Sequence, residues 1–374
     1  MSASGNSLLE PDAFLLGTFA SNCSGGMTVT KVPERWDNSF ANNLRLAQLL
    51  DDAGIDFMLP IARWIGYGGD TNFHGGVLET MTWATGLLAK TRNINVFATV
   101  HTAANHPVVV AKQLATIDQI SGGRIGLNIV AGWNKPEYEA LGLTLPDDHE
   151  TRYGYAQEWF EIVQALWSRD TSFDWDGKYF KLKNVLGDPR PATTLPILNA
   201  AGSEDGRRFA VRNANFLFTP AIDLDRSKDE VAALKAQAAA SGKSIDVLTF
   251  AHVVCRPTEQ EARDYLEHFG KTHADWDAVD NLVRLQFAHA QSFPHDLLAL
   301  IRDRMAAGHG GYPLVGTPEQ VAEGIIAIHN TGFRGVALSF VDYAEEFPFF
   351  RDNVLPILEA HGLRRPPRSA EAAV

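Results

Sequence analysis

The chain has 374 residues, 45% hydrophobic and 21% charged, a balance that can bury a large core in one long α/β domain or two average ones. A formal net charge of −12 argues against a nucleic-acid backbone or an anionic membrane surface as the main partner, while leaving room for a small anion in a locally basic pocket. Two distant cysteines, Cys23 and Cys255, no apolar run near the ~18 residues of a membrane span, and a polar opening to Asp12 without signal-peptide character together predict a reduced, cytoplasmic protein.

Short apolar runs alternate with longer amphipathic ones. Ala13–Ala20 reads as a first strand, Phe40–Ala53 as a helix closed by Gly54, and Asp56–Pro60 as a second strand. Glu79–Lys90 is a helix, Ile94–His101 a third strand, and Pro107–Ile120 a helix with a first-turn proline. Arg124–Val130 is apolar at nearly every position, as a strand buried on both faces should be. Further along come a helix at Arg152–Trp167, a hairpin at Thr171–Leu182 turning at Asp176-Gly177, and strands at Leu195–Ala200, Asn215–Thr219 and Val247–Arg256. Helices are predicted at Glu204–Arg212, Arg226–Ala240 and Thr258–Phe269. Thr317-Pro318-Glu319-Gln320 starts another helix with an N-cap, a proline and a capping-box glutamine. Gly335–Val341 is the last strand and Glu345–His361 the last helix. About eight strand–helix pairs predict one closed (β/α)8 barrel over residues 1–363, with a frayed tail at 364–374. The stretch 274–312 breaks the rhythm and is expected to be an insertion over the barrel mouth.

Barrels keep their chemistry at the C-terminal ends of the strands. The second strand is followed by Ile61-Ala62-Arg63-Trp64 and a glycine-rich loop, the third ends in Thr99, His101 and Thr102, and the fourth passes through Asn128 into a loop holding Trp133 and Glu137. Gly202-Ser203 opens the sixth turn, where small residues and a helix N-terminus suit a phosphate, with Arg207 or Arg208 one turn on. His101 and His106 share no face, and no carboxylate or cysteine cluster completes a tetrahedral metal site around them. No G-x-S-x-G elbow is present.

The runs ATIDQISGGRIGLNIVAGW (residues 115–133) and KPEYEALG (135–142), with GTPEQVAE (316–323), resemble the bacterial luciferase-like superfamily of flavin-dependent monooxygenases, above all its pyrimidine and dimethylsulfone monooxygenase branch. The resemblance runs from Phe14 to Leu363 and is densest over Asp56–Trp167. It implies a luciferase-like TIM barrel with insertions and a homo-oligomer. It also implies FMN in its reduced form and O2 as co-substrates. By motif position, Ile61, Ala62 and Arg63 match a segment contacting the flavin ring, and Asn128 an asparagine facing it. Glu137 matches a loop glutamate, Arg152 and Tyr153 a cofactor-binding pair, and Gly202-Ser203 the phosphate turn. Thr99 with Asn128 matches the pair that holds oxygen near flavin N5 in the pyrimidine branch, so a flavin peroxide is expected, with N5 and C4a both open. His101, where that branch has a small residue, or Arg63 is expected to orient the substrate; an N-heterocycle, an amide and a sulfone stay open. No G-x-G-x-x-G fingerprint follows a strand, so a separate NAD(P)H:flavin reductase is the expected source of reduced FMN. An F420-dependent oxidoreductase of the same fold, a non-catalytic flavin binder and a metal-dependent hydrolase are the competing readings.

Overall fold

The computed structural model describes residues 6–11, 13–286 and 295–364. After a short 3-10 turn at Ser7–Leu9, the chain runs Leu15–Phe19 (β1), Phe40–Asp52 (α1), Phe57–Leu59 (β2), Thr80–Leu88 (α2), Asn95–His101 (β3), Pro107–Ser121 (α3) and Ile125–Val130 (β4). A short helix, Lys135–Ala140 (α4), precedes the long His149–Ser168 (α5). The hairpin Phe173–Asp176 (β5) and Lys181–Val185 (β6) follows, then Ile197–Ala200 (β7), Glu204–Asn213 (α6), Phe216–Phe218 (β8) and Leu224–Ala240 (α7). Asp246–Cys255 (β9), Glu259–Glu267 (α8), Trp276–Gln286 (α9) and His295–Gly308 (α10) lead to Tyr312–Gly316 (β10), Pro318–Asn330 (α11), Gly335–Ser339 (β11), Tyr343–Asn353 (α12) and Leu355–Ala360 (α13).

Eight strands close in parallel in the order β1-β2-β3-β4-β7-β8-β9-β11, with β11 returning to β1. Local chemistry sets many of the boundaries. Ser39, His106 and Thr317 accept hydrogen bonds from the first turns of α1, α3 and α11, and Gly122 ends α3 in the left-handed region at φ 65°.

Strand alternation divides the core into two layers. Leu15, Phe57, Leu59, Phe97, Leu198, Phe218, Leu248 and Phe250 fill the barrel interior. Their outward neighbours, such as Leu16, Met58, Val96, Ala98, Leu127 and Val247, pack under the helices. The interior is tight: a Cβ on Gly17 would meet the Phe57 ring at 2.4 Å, and one on Gly126 the Phe97 ring at 2.5 Å. Because Thr99 and His101 keep step with Phe97, and Asn128 with Gly126, all three end inside the mouth.

Three elements depart from the sequence reading. Tyr312–Gly316, expected at the edge of the insertion, is a strand that adds to the long β9 beyond its pairing with β8. Lys135–Ala140 forms a single extra helical segment. The final helix is two, α12 and α13, broken at Val354, where Pro356 lacks the N–H that would continue the ladder. Within 274–312, the described residues form α9 and α10, which bury Ala278, Val279, Leu282, Met305 and Ala306 against Val29, Tyr67 and Phe73 from loops at the barrel mouth. The expected tail lies outside the described residues apart from Arg364, whose Nη2 donates to the Ala53 carbonyl at 2.7 Å. Among the described residues, no helix is long and apolar enough to cross a membrane.

Candidate active site

Thr99 and Asn128 are register partners on β3 and β4. Asn128 Nδ2 donates to Thr99 Oγ1 at 3.1 Å, and Thr99 Oγ1 donates to the Pro60 carbonyl at the end of β2 at 2.6 Å. The link therefore ties three neighbouring strand tips together. Both side chains are buried, yet Asn128 Oδ1 makes no hydrogen bond within the protein. Leaving a buried acceptor unsatisfied costs about 1–3 kcal/mol, so an atom kept in that state at a strand end points toward a ligand.

The second strand tip is clamped from the first. Asn22 donates through Nδ2 to the Ile61 carbonyl at 2.8 Å and accepts from the Ile61 amide at 3.0 Å, fixing the Ile61-Ala62-Arg63 backbone. Sequence reasoning missed Asn22, since nothing in the local pattern marks its reach across to residue 61. Arg63 is buried, and its Nη1 lies 3.2 Å from Glu137 Oε2. Glu137 Oε1 accepts from the Trp64 amide at 2.7 Å. The guanidinium also lies 5.1 Å from the Tyr67 ring centre and 5.3 Å from that of Trp133, within cation–π range. Arg63 is thus an interior cation, and Glu137 pairs with it rather than with Arg152.

Burial pushes the Glu137 carboxyl up, while the Arg63 guanidinium and the Trp64 amide pull it back. His101 Nδ1 stands 3.8 Å from Glu137 Oε2, but burial, reinforced by the Arg63 charge, drives its imidazole down to about 3. His101 is therefore a neutral ring in the pocket wall, able to donate or accept one hydrogen bond but not to act as a cation near neutral pH. Among the described residues, no group of three or more His, Cys, Asp or Glu could hold a metal ion.

The phosphate candidates gather one strand further round. Ser203 caps α6, its Oγ accepting from the Gly206 amide at 3.2 Å. Open space surrounds Gly202, where an added Cβ would meet nothing within 4 Å. Tyr153, near the start of α5, packs its ring 5.6 Å from Phe209, and a Cβ on Gly206 would come within 2.4 Å of its hydroxyl. Arg152 is buried with Nη1 donating to the Pro146 carbonyl at 2.9 Å, while its Nε makes no bond within the protein. The arginines of α6 are turned elsewhere: Arg207 faces Glu230, Arg208 pairs with Glu204 and Asp205, and Arg212 pairs with Glu161. The cation nearest the cradle in sequence is thus committed to carboxylates, which leaves Arg152 as the stronger phosphate candidate.

A model of the luciferase-like monooxygenase family matches residues 15–335. The FMNH(2)-dependent dimethylsulfone monooxygenase of Pseudomonas fluorescens (strain Pf0-1) is 31% identical to this chain over 359 residues, covering 94% of this chain and 96% of the relative. Pyrimidine monooxygenase RutA of Enterobacter sp. (strain 638) is 29% identical over 350 residues, covering 92% and 96%. The solved structure of DmoA from Hyphomicrobium sulfonivorans aligns with a TM-score of 0.82 at 19% identity, over 94% of this chain and 89% of that one, a likeness of fold.

Proposed function

The chain belongs to the luciferase-like monooxygenase family, and from that premise we propose that it is an FMNH2- and O2-dependent monooxygenase of a small organic substrate. It would work with a separate NAD(P)H:flavin reductase and as a homo-oligomer in the cytoplasm. The observation that carries the reading is the Thr99–Asn128 pair, joined at 3.1 Å with a buried amide oxygen left over, at a barrel mouth where Arg63 pairs with Glu137 and lies over the Trp133 ring.

The residues present fit the cofactor. Asn128 Oδ1, Arg63 Nε and Arg152 Nε are buried polar atoms without protein partners, and the Gly202-Ser203 turn is an open cradle at a helix N-terminus. Reduced FMN, when bound, supplies the electrons with which O2 is activated for transfer of one oxygen atom. Ser203, Tyr153 and Arg152 would hold its phosphate, and Ile61, Ala62 and Arg63 its ring.

The chain's own work is orientation and dryness. Thr99 and Asn128 present a hydroxyl and an amide where dioxygen would be held. Glu137 keeps the Arg63 guanidinium in place, and α9 and α10 bury the loop that borders the mouth. The neutral His101 ring would orient the substrate through one hydrogen bond.

The test is oxygen consumption with photoreduced FMN over a panel of small heterocycles, amides and sulfones, with mass spectrometry of the products. Substrate-dependent uptake and a product heavier by one oxygen atom are expected. Asn128→Ala is expected to lower turnover by about 100-fold or more, the usual loss for one positioned polar group. A protein indifferent to FMN in both oxidation states refutes the proposal, and full turnover by Asn128→Ala refutes the oxygen-site assignment.

A further inference from the structure

A polar cavity lies in the loop after β1, apart from the residues assigned above to flavin and oxygen, none of which lines it. The loop folds back on itself between Ser24 and Asn38, with the Gly25 amide donating to the Trp36 carbonyl at 3.0 Å. Together with Thr71 and Phe73 from the loop after β2, it encloses about 280 Å3. At ~30 Å3 per water, that is room for roughly nine waters, the bulk of a medium-sized amino acid.

The surrounding barrel sets the shape of this cavity. Trp36 is fixed at two points, its amide donating to the Val341 carbonyl at 2.9 Å and its Nε1 to the Ser21 carbonyl at 2.6 Å. Across from it, Thr30 Oγ1 donates to the Phe269 carbonyl at 2.8 Å, and the neighbouring Val29 amide donates to the Ala306 carbonyl at 2.9 Å. Walls held in this way are preformed, as those of small-molecule sites usually are.

Two opposite charges line the cavity and do not meet. Arg35 is half-buried, and among the described residues it is the only arginine whose guanidinium makes no hydrogen bond, ion pair or ring contact. The chain has 45 Asp and Glu against 33 Lys and Arg, so a shortage of carboxylates does not explain its isolation. Asp37 accepts from the Ser39 amide and from Asn42 Nδ2, each at 3.2 Å, but meets no cation among the described residues. Beside them, Ser24 Oγ accepts from the Gly76 amide at 3.2 Å and keeps its own proton to donate. Asn38 Nδ2 donates to the Asn22 and Gly76 carbonyls at 2.7 and 2.9 Å, which leaves Oδ1 as an acceptor.

We propose that this cavity binds a small zwitterion, a free α-amino acid, at a site distinct from that of the flavin. The carboxylate takes the Arg35 fork and the Ser24 hydroxyl, the ammonium group goes to Asp37 and Asn38 Oδ1, and Trp36 and Phe73 wall the side chain. A simple anion is repelled by Asp37 and a simple cation by Arg35. A neutral polyol leaves both charges unbalanced. The site does not depend on the monooxygenase reading.

In the test, the full chain is titrated with the common L-amino acids by saturation-transfer NMR. The tightest binder is then measured by calorimetry beside its α-amide and its N-acetyl derivative. Saturable binding of at least one amino acid is expected, with both derivatives weaker by about tenfold or more, because each removes one charge-assisted contact. Arg35→Gln and Asp37→Asn leave the packed core untouched and should melt as the wild type does. Each should raise the dissociation constant of the amino acid by about tenfold or more and leave FMN affinity unchanged. Absence of saturable binding overturns the proposal, as does wild-type affinity in either variant. A derivative that binds as tightly as its parent overturns the zwitterion assignment, and competition between the amino acid and FMN overturns the claim of a separate site. Failure of the chain to bind FMN sinks the monooxygenase reading alone.

Discussion

Glu137→Gln isolates one charge at the point where three segments meet. The glutamate side chain is almost fully buried, with one oxygen on the Trp64 amide at 2.7 Å and the other on Arg63 Nη1 at 3.2 Å. Glutamine keeps the volume and the acceptor for Trp64, so the change removes only the partner of a buried guanidinium. Breaking such a pair from one side costs about 3–5 kcal/mol, because the remaining charge is desolvated and unbalanced. With an unfolding entropy of ~2.1 cal/mol/K per residue, that corresponds to a fall in Tm of roughly 4–6 °C for a chain of this length. FMN affinity should fall by about tenfold or more as Arg63 leaves the ring-contacting segment. Scanning fluorimetry and FMN titration read both effects. The double variant with Arg63→Gln should recover part of the lost stability, giving a coupling energy of at least about 1 kcal/mol in the cycle. A Tm within about 1 °C of wild type, together with unchanged FMN affinity, would refute the claim that Glu137 exists to hold Arg63.

Four further outcomes are expected. Burial raises the Asp56 carboxyl to about 6, so its contribution to stability is complete below its unfolded value of ~3.9 and is lost as pH rises through 6, about 2–3 kcal/mol in all. Asp56→Asn, which still accepts from the Leu16 amide, should therefore gain on wild type between pH 4 and 7; parallel Tm profiles would sink the idea. The opposite sign belongs to His101, His252 and His309, held near 3 by burial, whose contributions are present above ~6.5 and fall away as the solution is acidified. Gly126→Ala would press a Cβ to 2.5 Å from the Phe97 ring and should destabilise by about 1–3 kcal/mol, read as a lower denaturant midpoint; an unmoved midpoint would contradict the packed interior. Ser203→Ala removes a cap worth ~1 kcal/mol and should weaken FMN more than riboflavin, which lacks the phosphate; equal weakening of both would move the phosphate elsewhere.

The architecture and the neighbourhood of the site were legible in local patterning along the chain. Periods of two and 3.6, caps such as Thr317, and stops such as Gly122 are local properties, so the eight strand–helix pairs could be counted from them. Barrel geometry then sent attention to the strand ends, where Thr99, His101 and Asn128 stand. What failed was also local in cause: Tyr312–Gly316 is short and half-exposed, so it carries no alternation, and the last helix is divided by a proline that a periodicity reading spans. Which charges meet is set by the closed barrel. Glu137 chose Arg63 over Arg152, Arg207 and Arg208 turned to carboxylates, and His309 came to lie on His74. The physical reason is that burial and Coulomb energy depend on distance through space, which the closing of the barrel sets and no short run of residues encodes.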